Sequence, residues 1–146
     1  MAQKKYEFTE HTADVEYMAY GKTLDEVFKN ALLGLFDTIA DTKKISKAAG
    51  AAKTLAINER ARVVEDLLWF TLQDALSVTD AEGYYGFGVG KLSISTEMGD
   101  YVINATVKAK KKNPKFSKLD VKGVSKFDLE VTKKKNMYVA RAVLDV

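Results

Sequence analysis

The chain has 146 residues, 47% of them hydrophobic and 29% charged, the balance expected of a globular protein that forms one domain across residues 1–146. It has no cysteine and a single histidine, which excludes disulfides, thiolate zinc centres, cysteine nucleophiles and multi-histidine zinc sites. A formal net charge of +3 permits a phosphate or nucleic-acid partner without requiring one, and no stretch is apolar for long enough to cross a bilayer.

In chain order, the opening Met-Ala-Gln-Lys-Lys runs into residues 4–9, where charged and aromatic side chains alternate with the period of a half-buried strand. No apolar signal region precedes it, so the expected location is cytoplasmic. Residues 15–20 read as a second strand closed by Gly21. Thr23-Leu24-Asp25-Glu26 forms a capping box, in which the Thr23 hydroxyl accepts from the Glu26 amide. Leu24, Val27, Phe28, Ala31, Leu32, Leu35 and Ile39 then recur at three- and four-residue spacing, predicting a helix that ends near Ala40. Residues 42–50 are small and polar, as in a loop, and 53–57 predict a brief strand. Asn58 is positioned to cap a second helix whose buried stripe is Val64, Leu67, Leu68, Thr71, Leu72, Ala75 and Leu76, stopping at Gly83.

Beyond Gly86 the period changes to two. Strands are expected over 91–96, 101–110, 119–125, 127–132 and 138–145, with turns at Gly99-Asp100, Asn113-Pro114 and Lys135-Asn136. Helices in the first half and hairpin-like strands in the second predict an α+β fold, a two-layer and mostly antiparallel sheet covered by two main helices. The last strand is small and apolar enough to lie inside the sheet, where it can pair with an N-terminal strand and carry Asp145 towards Asp14.

That pairing sets the most informative expectation. Asp14, Asp145 and the main-chain carboxylate of Val146 would gather hard oxygen donors that repel one another unless a cation such as Ca²⁺ or Mg²⁺ neutralises them. His11 would ligate or support a carboxylate through a hydrogen bond. On spacing alone the simpler account is that the two aspartates cap loops. Lys108, Lys110, Lys111, Lys112, Lys115 and Lys118 surround Asn113-Pro114, the expected tip of a hairpin. They suit either phosphate contact or a solvated edge, and the latter is the more common reading. Gly83, Gly86, Gly88 and Gly90 follow a helix and lead into a strand, the reverse of a phosphate loop. Glycines admitting close backbone approach in a connecting loop explain them better. No nucleophile–histidine spacing or metalloprotease motif is present.

His11-Thr12-Ala13-Asp14, the Ala19-Tyr20-Gly21-Lys22-Thr23-Leu24 segment, Glu65-Asp66-Leu67-Leu68, Val121-Lys122-Gly123-Val124 and the closing Leu144-Asp145-Val146 resemble the archease family in order and over nearly the whole length. The resemblance implies an α+β fold and a non-enzymatic activator of an RtcB-type RNA ligase in tRNA splicing and RNA repair. Such an activator promotes ligase guanylylation and repeated turnover, and meets tRNA only through the ligase. It further implies a divalent ion (Ca²⁺ or Mg²⁺ rather than Zn²⁺) on Asp14, Asp145 and Val146, a functional role for Lys122, and no membrane. This chain departs from the family in carrying Glu16 where a glycine is usual, and Ser125-Lys126-Phe127 where Thr-Tyr-His is usual. Glu16 would either add an acidic group beside the ion or point into solvent. The rival readings are a stand-alone RNA-binding module built on the lysine hairpin, a general chaperone, and a metal-dependent hydrolase that would lack an evident base.

Overall fold

The computed structural model describes residues 4–9 and 14–146; His11 lies outside the described residues. Among them, eight strands and three α-helices follow in the order β1 (Tyr6–Thr9), β2 (Val15–Gly21), α1 (Leu24–Ile39), α2 (Thr42–Lys47), β3 (Lys53–Ala61), α3 (Val64–Glu82), β4 (Tyr84–Glu97), β5 (Asp100–Lys111), β6 (Gly123–Val124), β7 (Glu130–Lys134) and β8 (Met137–Asp145). All strand pairs are antiparallel, and the architecture is α+β as expected. The strands divide between two sheets. One has the order β1-β2-β8-β6 with β7 also on β8, and the other has the order β3-β5-β4.

Helix α1 starts where its capping residues predict: Glu26 N donates to Thr23 Oγ1 at 3.1 Å, and Glu26 Oε1 reaches back to accept from Lys22 N at 3.0 Å. Its apolar stripe packs on β2 and β8 of one sheet and on β4 of the other. Helix α3 packs chiefly on β3 and β5 and also touches β6 and β7. Each helix therefore serves both sheets, and Phe28, Leu32, Leu35, Leu68 and Leu72 are fully buried in a shared core with Tyr17, Ile57 and Ile103. The Tyr17 hydroxyl, drawn into that core, donates to Ala31 O at 2.6 Å and so keeps its polar end satisfied.

Several expectations fail for identifiable reasons. Residues 42–47 form the short helix α2, because the Asp41 carboxylate accepts from Lys44 N at 3.2 Å and starts a helical turn. Asn58 caps nothing; β3 runs on to Ala61, and α3 begins without a side-chain cap. The glycine-rich segment is strand rather than loop. Gly86 lies under the Phe36 ring, where any Cβ would collide, and the register shifts at Gly86/Gly88 and Val89/Leu92 let β4 bend around α1. Asn113-Pro114 is not a hairpin tip either. It opens a 3-10 turn, Pro114–Phe116, within a crossover that bridges Ala40 to Ser117 and leads to the five-stranded sheet. That crossover takes up most of the expected 119–125 strand, leaving Gly123–Val124. The expected 127–132 strand starts only at Glu130, and Phe127 sits in the turn before it.

Candidate functional site

Strand β8 runs between β2 on one side and β6 and β7 on the other, so its C-terminal end is where β2, β8 and β6 meet. Val15 pairs with Leu144 as the last rung of the β2-β8 ladder, so Asp14 and Asp145 each lie one residue beyond it at the same end of the two strands. Across the other edge of β8, Gly123 pairs with Asp145, and Lys122 N donates to Asp145 O at 2.7 Å. Asp14, Asp145, Val146 and Lys122 thus occupy one end of β2-β8-β6, with Asp145, Val146 and Lys122 exposed and Asp14 half-buried.

The alternation of β2 turns Tyr17 and Ala19 into the core and leaves Glu16 on the other face, with Asp14 two positions beyond it. Carboxylates directly opposite one another in an antiparallel pair destabilise it by repulsion. Glu16 itself faces Val143 across the ladder and is held by Arg141, whose Nε and Nη2 donate to Glu16 Oε2 at 3.1 and 2.8 Å. Among the described residues no hydrogen bond or ion pair engages the side chains of Asp14, Asp145 or Lys122. The donors available at this end are hard oxygens, which suits Ca²⁺ or Mg²⁺ and not a soft-ligand zinc centre. Among the described residues no three Asp, Glu or His side chains converge as a ready-made metal cage. A cation here would therefore draw on Asp14, Asp145, main-chain oxygens and water, with Glu16 and Arg141 as outer support.

Residues that sequence reasoning passed over complete this end. Gln73 and Trp69, one turn apart on α3, take the two outward groups of the short edge strand β6. Val124 N donates to Gln73 Oε1 at 3.0 Å, and Trp69 Nε1 donates to Val124 O at 2.8 Å. An edge that would otherwise be open is closed by a helix. Gly123 lies between Asp145 and Gln73: a Cβ there would make ordinary contact, 3.8 Å from both Asp145 Oδ2 and Gln73 Oε1. Two polar or amphipathic residues off the apolar stripe of α3 were the available signal.

The lysine run is arranged quite differently. Lys110 Nζ donates to Ile45 O and Ala48 O at 3.1 and 2.7 Å, closing the C-terminal end of α2. Lys112 Nζ pairs with Asp80 at 2.6 Å, and Lys118 Nζ donates to Asp37 O at 2.5 Å. Lys115 lies over the Phe116 ring. Lys112 and Lys118 thus tie the crossover to α3 and α1, and Lys110 ties β5 to α2.

These features define a two-sheet α+β domain with an acidic sheet end. The chain belongs to the archease family: the sequence profile of the archease protein family (MTH1598/TM1083) matches residues 6–146. It is similar to protein archease of Methanosarcina mazei, 33% identical over 145 residues that cover 98% of this chain and 97% of the relative. Protein archease of Pyrococcus furiosus is 32% identical over 130 residues, 88% of each chain. The solution structure of protein 1598 of Methanobacterium thermoautotrophicum superposes with a TM-score of 0.82 at 26% identity, covering 99% of this chain and all of that one. The crystal structure of an archease of Thermotoga maritima, described as a possible chaperone, shares the fold with a TM-score of 0.63 at 16% identity, covering 100% of this chain and 98% of that one. No described helix is long and apolar enough to cross a membrane.

Proposed function

We propose that this chain is a non-catalytic, cytoplasmic accessory protein that activates an RtcB-type RNA ligase in tRNA splicing and RNA repair, with a divalent cation held at Asp14 and Asp145. The observation that carries the reading is the β2-β8-β6 register, which brings Asp14, Asp145 and Lys122 to one sheet end without internal partners. Val146, exposed beside Asp145, belongs to the same proposed donor set. When bound, Ca²⁺ or Mg²⁺ supplies charge stabilisation and orientation for nucleotide phosphates. The protein's own contribution is positional. On this reading the two carboxylates, each one residue beyond the Val15–Leu144 rung, share the ion, Arg141 neutralises Glu16 so that it does not compete, and Lys122 offers a cation to a phosphate or to an acidic group of the ligase. The main-chain bond from Lys122 to Asp145 ties these two roles to one piece of backbone.

The committed lysines argue against the RNA-binding rival, since Lys110, Lys112 and Lys118 already have acceptors. The chaperone reading draws on the description of the Thermotoga relative alone. The deciding experiment is ligase guanylylation with and without this protein, with added chelator, and with Asp14→Ala or Asp145→Ala. Stimulation should vanish with chelator and with each variant while the circular dichroism spectrum is unchanged, and Ca²⁺ titration by calorimetry should lose its signal in the variants. Full stimulation by Asp145→Ala would reject the mechanism, and protection of unrelated unfolding proteins would favour the chaperone.

A further inference from the structure

Phe127 is 97% exposed, an aromatic ring standing free in water on the turn between β6 and β7. Aromatic side chains normally bury most of their surface, and a single ring this bare is a candidate anchor for another molecule. The turn is pinned at several points. Val124 and Leu129 on either side are buried, Ser125 N donates to Val143 O at 2.9 Å, and Ser125 Oγ lies 3.1 Å from Asp128 Oδ2. The ring is therefore presented on a braced turn, which lowers the ordering cost of docking. The brace on Val143 lies two residues before Asp145, so the turn flanks the acidic sheet end. Beside the ring, Lys126 Nζ stands over the half-buried Trp69 ring, 5.6 Å from its centroid, and Lys122 is exposed nearby in sequence.

Resting on the proposed ligase-activating role, we infer that Phe127 is the docking anchor for the ligase, entering an apolar cup whose rim is acidic to meet Lys122 and Lys126. A protein surface fits better than RNA. Non-specific RNA binding stacks successive bases on several aromatic side chains along a basic groove, whereas this turn offers one bare ring, with Trp69 half-buried beneath Lys126.

The test is the dependence of ligase guanylylation on activator concentration, for the wild type, Phe127→Ser, Phe127→Leu and Asp145→Ala, alongside ligase binding by interferometry. Phe127→Ser should raise the half-maximal concentration roughly tenfold or more with the plateau retained, in line with loss of an interface anchor. Phe127→Leu should recover most of that affinity. Asp145→Ala should lower the plateau instead. If wild-type protein neither binds nor stimulates the ligase, the functional reading falls and this inference with it. If it stimulates and Phe127→Ser matches it in affinity, the anchor alone is wrong. Phe127-dependent RNA affinity without ligase, or Phe127-dependent self-association in sedimentation, also overturns it. Because the ring makes no core contact, Phe127→Ser should melt with the wild type, and a lowered midpoint would contradict its free presentation.

Discussion

Lys110, Lys112 and Lys118, in and after β5, each end on an acceptor of this chain, whereas Asp14, Asp145 and Lys122 at the β2-β8-β6 end have none among the described residues. The first region looks like a binding surface in the sequence and acts as a strut. The second is two isolated aspartates in the sequence and becomes a concentrated set of unneutralised charges. A second carboxylate pair sharpens the contrast. Glu59 on β3 is hydrogen-bonded to Asp74 on α3, and burial together with that neighbour pushes its carboxyl up to about 7. The raised carboxyl there favours holding a proton, while half-buried Asp14 and exposed Asp145 lie at a sheet end open to a cation. What a charged cluster does depends on which partner its surroundings supply.

The largest expected effect breaks the comparison at its acidic side. Asp14→Asn with Asp145→Asn should abolish ligase stimulation, yet change the stability read by urea denaturation by no more than about 0.5 kcal/mol, because neither side chain has an internal partner to lose. A stability loss of several kcal/mol would instead make the pair structural. Next, Gly34→Ala disturbs the support beneath β2 without touching any charge. The added methyl carbon would sit 2.5 Å from Tyr17 Cε2, and overpacking of this kind costs about 1–3 kcal/mol. Thermal unfolding should show that loss, while stimulation at low temperature stays near wild type.

Neutralising the struts gives a smaller and opposite pattern. Lys110→Met should cost about 1 kcal/mol by leaving the α2 carbonyls without their donor, with stimulation and RNA affinity unchanged. A fall in stimulation would show that the lysine region also faces the partner. The smallest effect concerns Glu59. Because its folded-state value of about 7 lies above the ordinary 4.5, the folded protein holds the proton more tightly than the unfolded chain. The associated stabilisation is present at low pH and is lost as pH rises through about 7. Glu59→Gln keeps a neutral group beside Asp74, so it should exceed wild-type stability at pH 8 by under about 1 kcal/mol and lose that advantage near pH 5, in paired denaturation curves.

Local pattern made much of the fold legible. Thr23 and Glu26 mark the start of α1, the leucine stripe marks α3, and alternation marks β2, β5 and β8, because these depend on neighbours within a few residues. Period two says nothing about which strand lies alongside, so the division into two sheets was not legible. Nor was the trimming of the expected 119–125 and 127–132 strands, where the crossover and the Ser125–Asp128 turn consume the residues. At the candidate site, Asp14, Asp145 and Lys122 were named by resemblance, while Gln73, Trp69 and Arg141 went unmarked because their partners are far away in sequence.

By itself the sequence determined composition-level exclusions, the two long helices and the α+β class, all of which follow from side-chain chemistry and short-range periodicity. Only the tertiary structure decided that β8 lies between β2 and β6, that Lys110, Lys112 and Lys118 end on carbonyls and carboxylates, and that Phe127 stands in solvent. Those outcomes depend on ladder register and on contacts between residues as many as about 130 positions apart, which no local window contains.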